Sequence, residues 1–145
     1  MAQQQRSHGD RVLNAGISLA LDKLVGQGEF YPFGVALTGR GQIQVLMHQE
    51  SRYRPSGEEF IESLRGALST GAKQGEFVAA AIVADFAFEK PTEQGELDAI
   101  RVAVEVANGD PVTCFLPYTL MTPAGTRDVR PGELFAQRGE KTIFQ

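Results

Sequence analysis

The stretch FVAAAIVADFAF, residues 77–88, constrains the fold more than any other part of the chain. Its alternating positions are apolar on both sides, and only Asp85 interrupts them. A strand of this kind is typical of the centre of a sheet, because both of its faces are shielded from water. The pattern therefore predicts a central strand. If the helices cover one face, the second apolar face needs other cover, which a partner subunit could supply.

Other segments supply the neighbours of this strand. Residues 33–49 alternate around Gly39-Arg40-Gly41, which predicts a β-hairpin. Residues 97–108 and 112–120 alternate in the same way and predict two further strands. Helical spacing predicts a first helix that begins near Asp10, and Gly16 within it indicates a close packing contact. A second helix is predicted from Ser56, which has Glu59 at the spacing of a capping box.

The resulting order, α-β-β-α-β-β-β, predicts a two-layer α+β domain. We expect an antiparallel sheet of about five strands with both helices packed on one face. The 145 residues fit one domain, here residues 9–145, and residues 1–8 read as a disordered N-terminus. The C-terminal tail has two apolar islands, Leu134-Phe135 and Ile143-Phe144. These islands predict that the tail docks as a short helix or an edge strand.

Charge and metal-ligand content narrow the function classes. The chain has 14 Lys and Arg against 18 Asp and Glu, a net charge of −4, which argues against a nucleic-acid partner. No apolar run is long enough to span a membrane. His8 and His48 are far apart and lack any clustered second ligand, so no metal site is predicted. We expect a cytoplasmic protein without a cofactor.

The only cysteine, Cys114, lies in VTCFLPYTL. A three-residue connection before this strand would pair Val106 with Cys114, and a two-residue loop would turn Phe115 inward instead. In both registers Cys114 has apolar neighbours, which indicates a buried structural cysteine rather than a nucleophile. Pro117 suggests an edge position or a bulge, and it would leave the Tyr118 hydroxyl in water.

Asp85 is the most unusual residue of the central strand. If Glu89 pairs with Leu97, Asp85 lies opposite Arg101, and the two form a cross-strand ion pair. The alternative interpretation is the polar floor of a ligand groove. The candidate ligand-binding residues are then Asp85, Arg101, Glu105 and Tyr118.

A second candidate surface lies in EFYPFG. Phe30, Tyr31 and Phe33 flank Pro32 between the first helix and the first strand. Core packing is one interpretation, because aromatic side chains dominate protein cores. The other is an exposed aromatic site for contact with a partner.

The segments FYPFGVALTGRGQIQV, DAIRVAVEVANGDPVTCFLPYTL and GELFAQRGEKTIF together resemble a family of small uncharacterised bacterial proteins. The resemblance covers most of the chain after residue 10 and implies no particular activity. The order of elements is also similar to that of roadblock and other profilin-like modules. Such modules often dimerise and act as adaptors or sensors, so this resemblance implies a similar role.

The sequence therefore predicts a non-catalytic interaction or adaptor module of a bacterial cytoplasm, in the form of a homodimer or bound to another protein. No catalytic residue set is predicted, since no acid, base or nucleophile cluster occurs. The alternatives are a small-molecule-binding or sensor domain, and a small enzyme that uses Asp85 or Cys114.

Overall fold

The computed structural model describes residues 2–48 and 55–145. Its helices are α1 (Ala2–Gln27) and α2 (Gly57–Lys73), and a 3-10 turn spans Pro123–Gly125. Its strands are β1 (Phe33–Thr38), β2 (Ile43–Leu46), β3 (Phe77–Ala87), β4 (Asp98–Val106), β5 (Val112–Met121), β6 (Asp128–Pro131) and β7 (Phe135–Arg138). All strand pairs are antiparallel, in the order β2-β1-β3-β4-β5-β6. The last strand, β7, pairs with the first half of β5.

The predicted α+β class with an antiparallel sheet is confirmed, and β3 lies inside the sheet as expected. The strand number is higher than the predicted five, because the C-terminal tail adds β6 and β7 along β5. Beyond β7, Ile143 is buried against α2 and the sheet. The tail therefore docks through its second apolar island, while Leu134 and Phe135 of the first island stay partly exposed.

The prediction that both helices pack on one face of the sheet is wrong. On β3, Ala79, Ala81 and Val83 face α1, whereas the intervening Ala80 and Ile82 face α2. We call these sides the α1 face and the α2 face. Because β3 is apolar on both faces, each face buries apolar area when a helix covers it. The architecture is three layers, with the sheet between the helices.

Helix α1 packs on the sheet and contacts β1, β3, β4 and β6. It begins at Ala2, so it runs through the segment for which disorder was predicted and starts before Asp10. The close contact predicted for Gly16 is present, because a Cβ atom there would lie 2.8 Å from Cγ2 of Val83. The second helix has the predicted cap, in which the Glu59 N–H donates to Ser56 Oγ at 3.2 Å.

The observed strand registers correct two sequence predictions. Asp85 pairs with Ile100, and Arg101 pairs with Ala84, so Asp85 is not opposite Arg101. This shift of one residue places their side chains on different faces. Cys114 pairs with Val102 rather than Val106. A shift of four residues keeps the face, so Cys114 lies on the α1 face, as predicted, and is buried.

Pro117 lies inside β5 rather than at a sheet edge. It pairs with Ala99 of β4 and falls between the segments of β5 that pair with β7 and β6. Because proline has no N–H, this gap between two partner strands suits it. The neighbouring Tyr118 is buried, which corrects the prediction that its hydroxyl lies in water. Within the described residues, neither helix combines the length and apolar character that crossing a bilayer requires.

Candidate functional site

The four predicted ligand-binding residues do not form one site. Asp85 and Tyr118 meet on the α1 face, where the Tyr118 hydroxyl donates to Asp85 Oδ1 at 2.9 Å. Arg101 and Glu105 lie on the α2 face and contact different partners. The single groove that the sequence suggested is therefore replaced by two separate arrangements of polar groups.

The Asp85–Tyr118 pair lies at the end of β3. Burial raises the pKa of Asp85 above its usual value of 3.8, and the nearby Asp98 carboxylate also raises it. The hydrogen bonds from Tyr118 and the Phe86 N–H lower it in part. Burial, together with Asp85, also raises the pKa of the Tyr118 hydroxyl. The pair links β3 to β5 across β4, and none of the cavities described below is lined by it.

We expect Asp85→Asn to stabilise the protein slightly at neutral pH. The amide oxygen can still accept from Tyr118, and the unfavourable partial desolvation of a carboxylate is removed. Because the folded-state pKa of Asp85 is raised, its ionisation costs stability at pH 7, and this cost disappears as the pH falls towards 3.8. The gain should stay below about 1 kcal/mol, since water screens an exposed side chain.

Urea unfolding of both proteins at pH 7, 5 and 3.5 measures this effect. The stability difference between wild type and Asp85→Asn should shrink as the pH falls. Asp22→Asn, at an exposed position of α1, controls for the loss of one negative charge. A variant less stable than wild type at pH 7 would show that the Tyr118 hydrogen bond to the ionised carboxylate dominates.

Glu105 is the best-satisfied acid in the structure and is only 3% exposed. Its carboxylate accepts the backbone N–H groups of Thr142, Ile143 and Phe144 at 2.9–3.2 Å. It also accepts the Thr142 hydroxyl at 3.0 Å. Glu105 therefore fastens the C-terminal segment to the sheet. Its predicted role as a ligand contact has less support, because its oxygen atoms are already occupied.

Beside this contact, an open cavity of about 320 Å³ lies between α2, the α2 face and the C-terminal segment. Three arginines line it: Arg65, Arg101 and Arg138. We call it the arginine cavity. Its apolar lining consists of Ile61, Ile82, Ala103, Phe115 and Ile143, and its other polar lining includes Thr113, Gln137 and Glu140.

The three arginines differ in their contacts. Arg65 pairs with Glu62 and donates to Thr142 Oγ1 at 3.2 Å. The guanidinium of Arg101 lies over the Phe86 ring, 5.7 Å from its centroid. Within residues 2–48 and 55–145, neither Arg101 nor Arg138 has a carboxylate partner within 4.0 Å. Arg138 pairs with Val112, which places its side chain on the α1 face. Among the described residues, the guanidinium of Arg101 is therefore the one on the α2 face that is available to an anion.

An aromatic cluster continues the α2 face beyond the cavity. The rings of Phe86 and Phe115 meet edge to face at 5.1 Å, and Phe135 stacks on Phe115 at 5.1 Å. Phe88 contacts Phe86 on the outer side. The Phe88 N–H bonds to the Leu97 carbonyl, which continues the β3–β4 register and places Leu97 beside Phe88. We call Phe86, Phe88, Leu97, Phe115 and Phe135 the aromatic patch.

The aromatic patch is exposed where α2 no longer covers the sheet. Leu97 is 55% exposed and Phe135 is 39% exposed, while Phe86 and Phe88 are half-buried. Sequence analysis missed the patch because its members come from three strands and the loop before β4. Only the apolar second face of β3 hinted at it.

The predicted contact site at Phe30, Tyr31 and Phe33 is mostly core. Phe30 and Phe33 are buried under α1, which corrects their assignment as contact residues. Tyr31 is half-buried, and its hydroxyl donates to the Pro55 carbonyl. Its ring stacks on Phe60 at 5.2 Å. Tyr31 therefore ties the start of β1 to the start of α2.

Cys114 lines a second, more apolar cavity of about 530 Å³ between α1 and the β4–β5 hairpin. Burial raises the pKa of its thiol, and the Asp10 carboxylate raises it further. The thiolate is therefore disfavoured at neutral pH, as expected for a structural cysteine. Within the described ranges, no three His, Cys, Asp or Glu side chains converge as a metal site would require.

We compared the chain with protein-family models, with characterised proteins and with solved structures, and none of these comparisons gives a match. The aromatic patch and the arginine cavity are therefore the features of the molecule that point to a function.

Proposed function

We propose that this protein is a non-catalytic interaction module that forms a homodimer through the aromatic patch. One observation carries the proposal: on a sheet face that α2 leaves open, the aromatic patch is partly exposed, with the rings of Phe86 and Phe135 packed on the buried Phe115. Clusters of this kind mark interaction sites, and aromatic residues are enriched in the centres of interfaces.

A second copy of the chain is the occupant we favour. Twofold dimers are the commonest oligomers, and a twofold axis brings one patch against the same patch of its partner. The partly exposed Phe135 and Leu97 of one copy would then pack against the rings of the other copy. The similarity in element order to roadblock modules agrees with this role.

We expect Leu97→Ser to weaken the dimer strongly. Leu97 is 55% exposed in the single chain, so the substitution removes little packing within one copy. At the centre of an interface the same change costs about 2 kcal/mol of binding, roughly a thirtyfold rise in Kd. Sedimentation velocity over a range of concentrations measures this Kd.

Leu120→Ser is the matched control. Leu120 is 40% exposed and lies on β5 opposite Val129, on the α1 face, away from the patch. The dimer of this variant should keep the wild-type Kd. Equal Kd values for wild type and Leu97→Ser would remove the aromatic patch as the interface. A larger loss with Leu120→Ser would move the interface to the other face.

A small-molecule-binding domain is the second candidate, and the arginine cavity favours it. Its volume of about 320 Å³ is at the lower end of the range of known ligand sites. An enzyme that uses Cys114 or Asp85 has less support, because burial raises the pKa of both groups, which disfavours the thiolate of Cys114, and Asp85 is engaged by the Tyr118 hydroxyl. A cytoplasmic location and a bacterial source remain part of the proposal.

A further inference from the structure

We propose that the arginine cavity binds a small organic carboxylate that has an apolar part. The inference gives the second candidate function its ligand class and does not require the homodimer. It depends on Arg101, which projects from the middle of the sheet into the cavity.

Arg101 has N–H groups that no carboxylate of the described residues accepts. Arg101 has no carboxylate within 4.0 Å, and its guanidinium lies over the Phe86 ring, so far as residues 2–48 and 55–145 show. Arg101 is half-buried, and an acidic partner would offset the partial loss of water around its charge. Arg138 also lines the cavity, but its pairing with Val112 places its side chain on the α1 face. An anion beside Arg101 would satisfy the guanidinium that faces the cavity.

Among the described residues, the acids at and beside the cavity do not pair with Arg101. Glu105 is saturated by three backbone N–H groups and one hydroxyl of the C-terminal segment. Glu140 is exposed and forms no ion pair among the described residues. Glu62 is the partner of Arg65. Among the described residues, these acids therefore leave the guanidinium of Arg101 without a carboxylate partner.

The cavity has a polar part and an apolar part. The planar guanidinium of Arg101 lies over Phe86, and such a group can donate two parallel hydrogen bonds to a carboxylate. Thr113 and Gln137 add neutral donors at the same wall. The remaining lining, which includes Ile61, Ile82 and Phe115, is apolar. A ligand with one carboxylate and a short apolar body matches both halves.

Benzoate is a suitable probe because it joins a planar carboxylate to a compact ring. We expect saturable binding with a Kd in the millimolar range, as is usual for so small a molecule. In ¹H–¹⁵N spectra of the wild-type protein, the largest shifts should fall on the amides of Arg101, Thr113 and Gln137. Benzamide, which has the same shape without the charge, should not bind.

Arg101→Met should raise the Kd of benzoate at least about tenfold, since it removes the charged fork and keeps an unbranched apolar chain. Arg40→Met is the matched control: Arg40 is exposed in the β1–β2 turn and does not line the cavity. It should bind benzoate as the wild type does. The far-ultraviolet circular dichroism of each variant reports whether it is folded, and the wild-type shift map stands even if Arg101→Met unfolds.

Three outcomes would overturn the inference: no saturable shift with benzoate, equal affinity for benzamide, or shifts confined to other parts of the protein. Tighter binding of inorganic phosphate than of benzoate would overturn the carboxylate class. Sedimentation of the same samples reports the oligomeric state separately, so a monomer that binds benzoate would refute only the dimer. A dimer that does not bind benzoate would refute only the proposed carboxylate site.

Discussion

Replacement of Glu105 by alanine is expected to lower the free energy of unfolding by about 2–4 kcal/mol and to release the C-terminal segment. If the segment stays in place, the buried N–H group of Ile143 and the half-buried N–H groups of Thr142 and Phe144 lose a charged acceptor. If it leaves, the burial of Ile143, now 1% exposed, is lost, which alone costs about 1.5–3 kcal/mol. The protein will follow the cheaper of these routes.

Two measurements check this prediction. Urea unfolding gives the loss of stability, and hydrogen exchange should show faster exchange at the amides of Thr142, Ile143 and Phe144. Glu140→Ala is the matched control, since Glu140 is exposed and close to the same segment. It should leave both the stability and the exchange rates almost unchanged.

Deletion of residues 142–145 tests the same contact from the other side. In the wild type, the deletion leaves the Glu105 carboxylate buried without its donors, so it should be strongly destabilising. In the Glu105→Ala background, it should cost about 2 kcal/mol less, because the contact is already lost. Additive losses in the double variant would contradict the role of Glu105 as the anchor of the tail.

The second large effect concerns Gly16. We expect Gly16→Ala to destabilise the protein by about 1–3 kcal/mol, the usual cost of overpacking a core. The new methyl group would lie 2.8 Å from Cγ2 of Val83, which is fully buried on a central strand. This cost would exceed the gain of about 1 kcal/mol that alanine normally brings to a helix.

Gly26 in the same helix provides the control. A Cβ atom at Gly26 would meet nothing within 4 Å, so Gly26→Ala should stabilise the protein by up to about 1 kcal/mol. Thermal unfolding of the two variants should therefore shift the Tm in opposite directions. Gly16→Ala combined with Val83→Ala should recover part of the loss from overpacking, although it creates its own cavity. A stabilising Gly16→Ala would contradict the close approach of α1 to β3.

The elements of the fold could be predicted from local patterns. Alternation and helical spacing located β3, β4, β5 and α2, and the Ser56 cap marks the start of α2. The side of the sheet on which each helix lies could not be predicted in this way. An apolar stripe shows that a helix is covered, but it does not show which face of the sheet covers it. The two apolar faces of β3 indicate that both sides of the sheet are covered, but the pattern does not distinguish a second helix from a partner subunit as the cover.

The candidate site was less predictable, because face assignment depends on register. Asp85 and Arg101 were placed together by a register that differs from the observed one by a single residue. Glu105 alternates with valines, as an exposed position does, and its partners lie 37–39 positions later in the chain. No local pattern indicates such a contact. The aromatic patch likewise forms only when β3, β5 and β7 are assembled.

In the proposed dimer, a second copy of the chain covers the aromatic patch on the α2 face. Native mass spectrometry of the wild-type protein across micromolar concentrations tests it most directly. We predict a species with twice the mass of the chain, whose population rises with concentration. A species with the mass of one chain at every concentration, up to the high micromolar range, would contradict the claim.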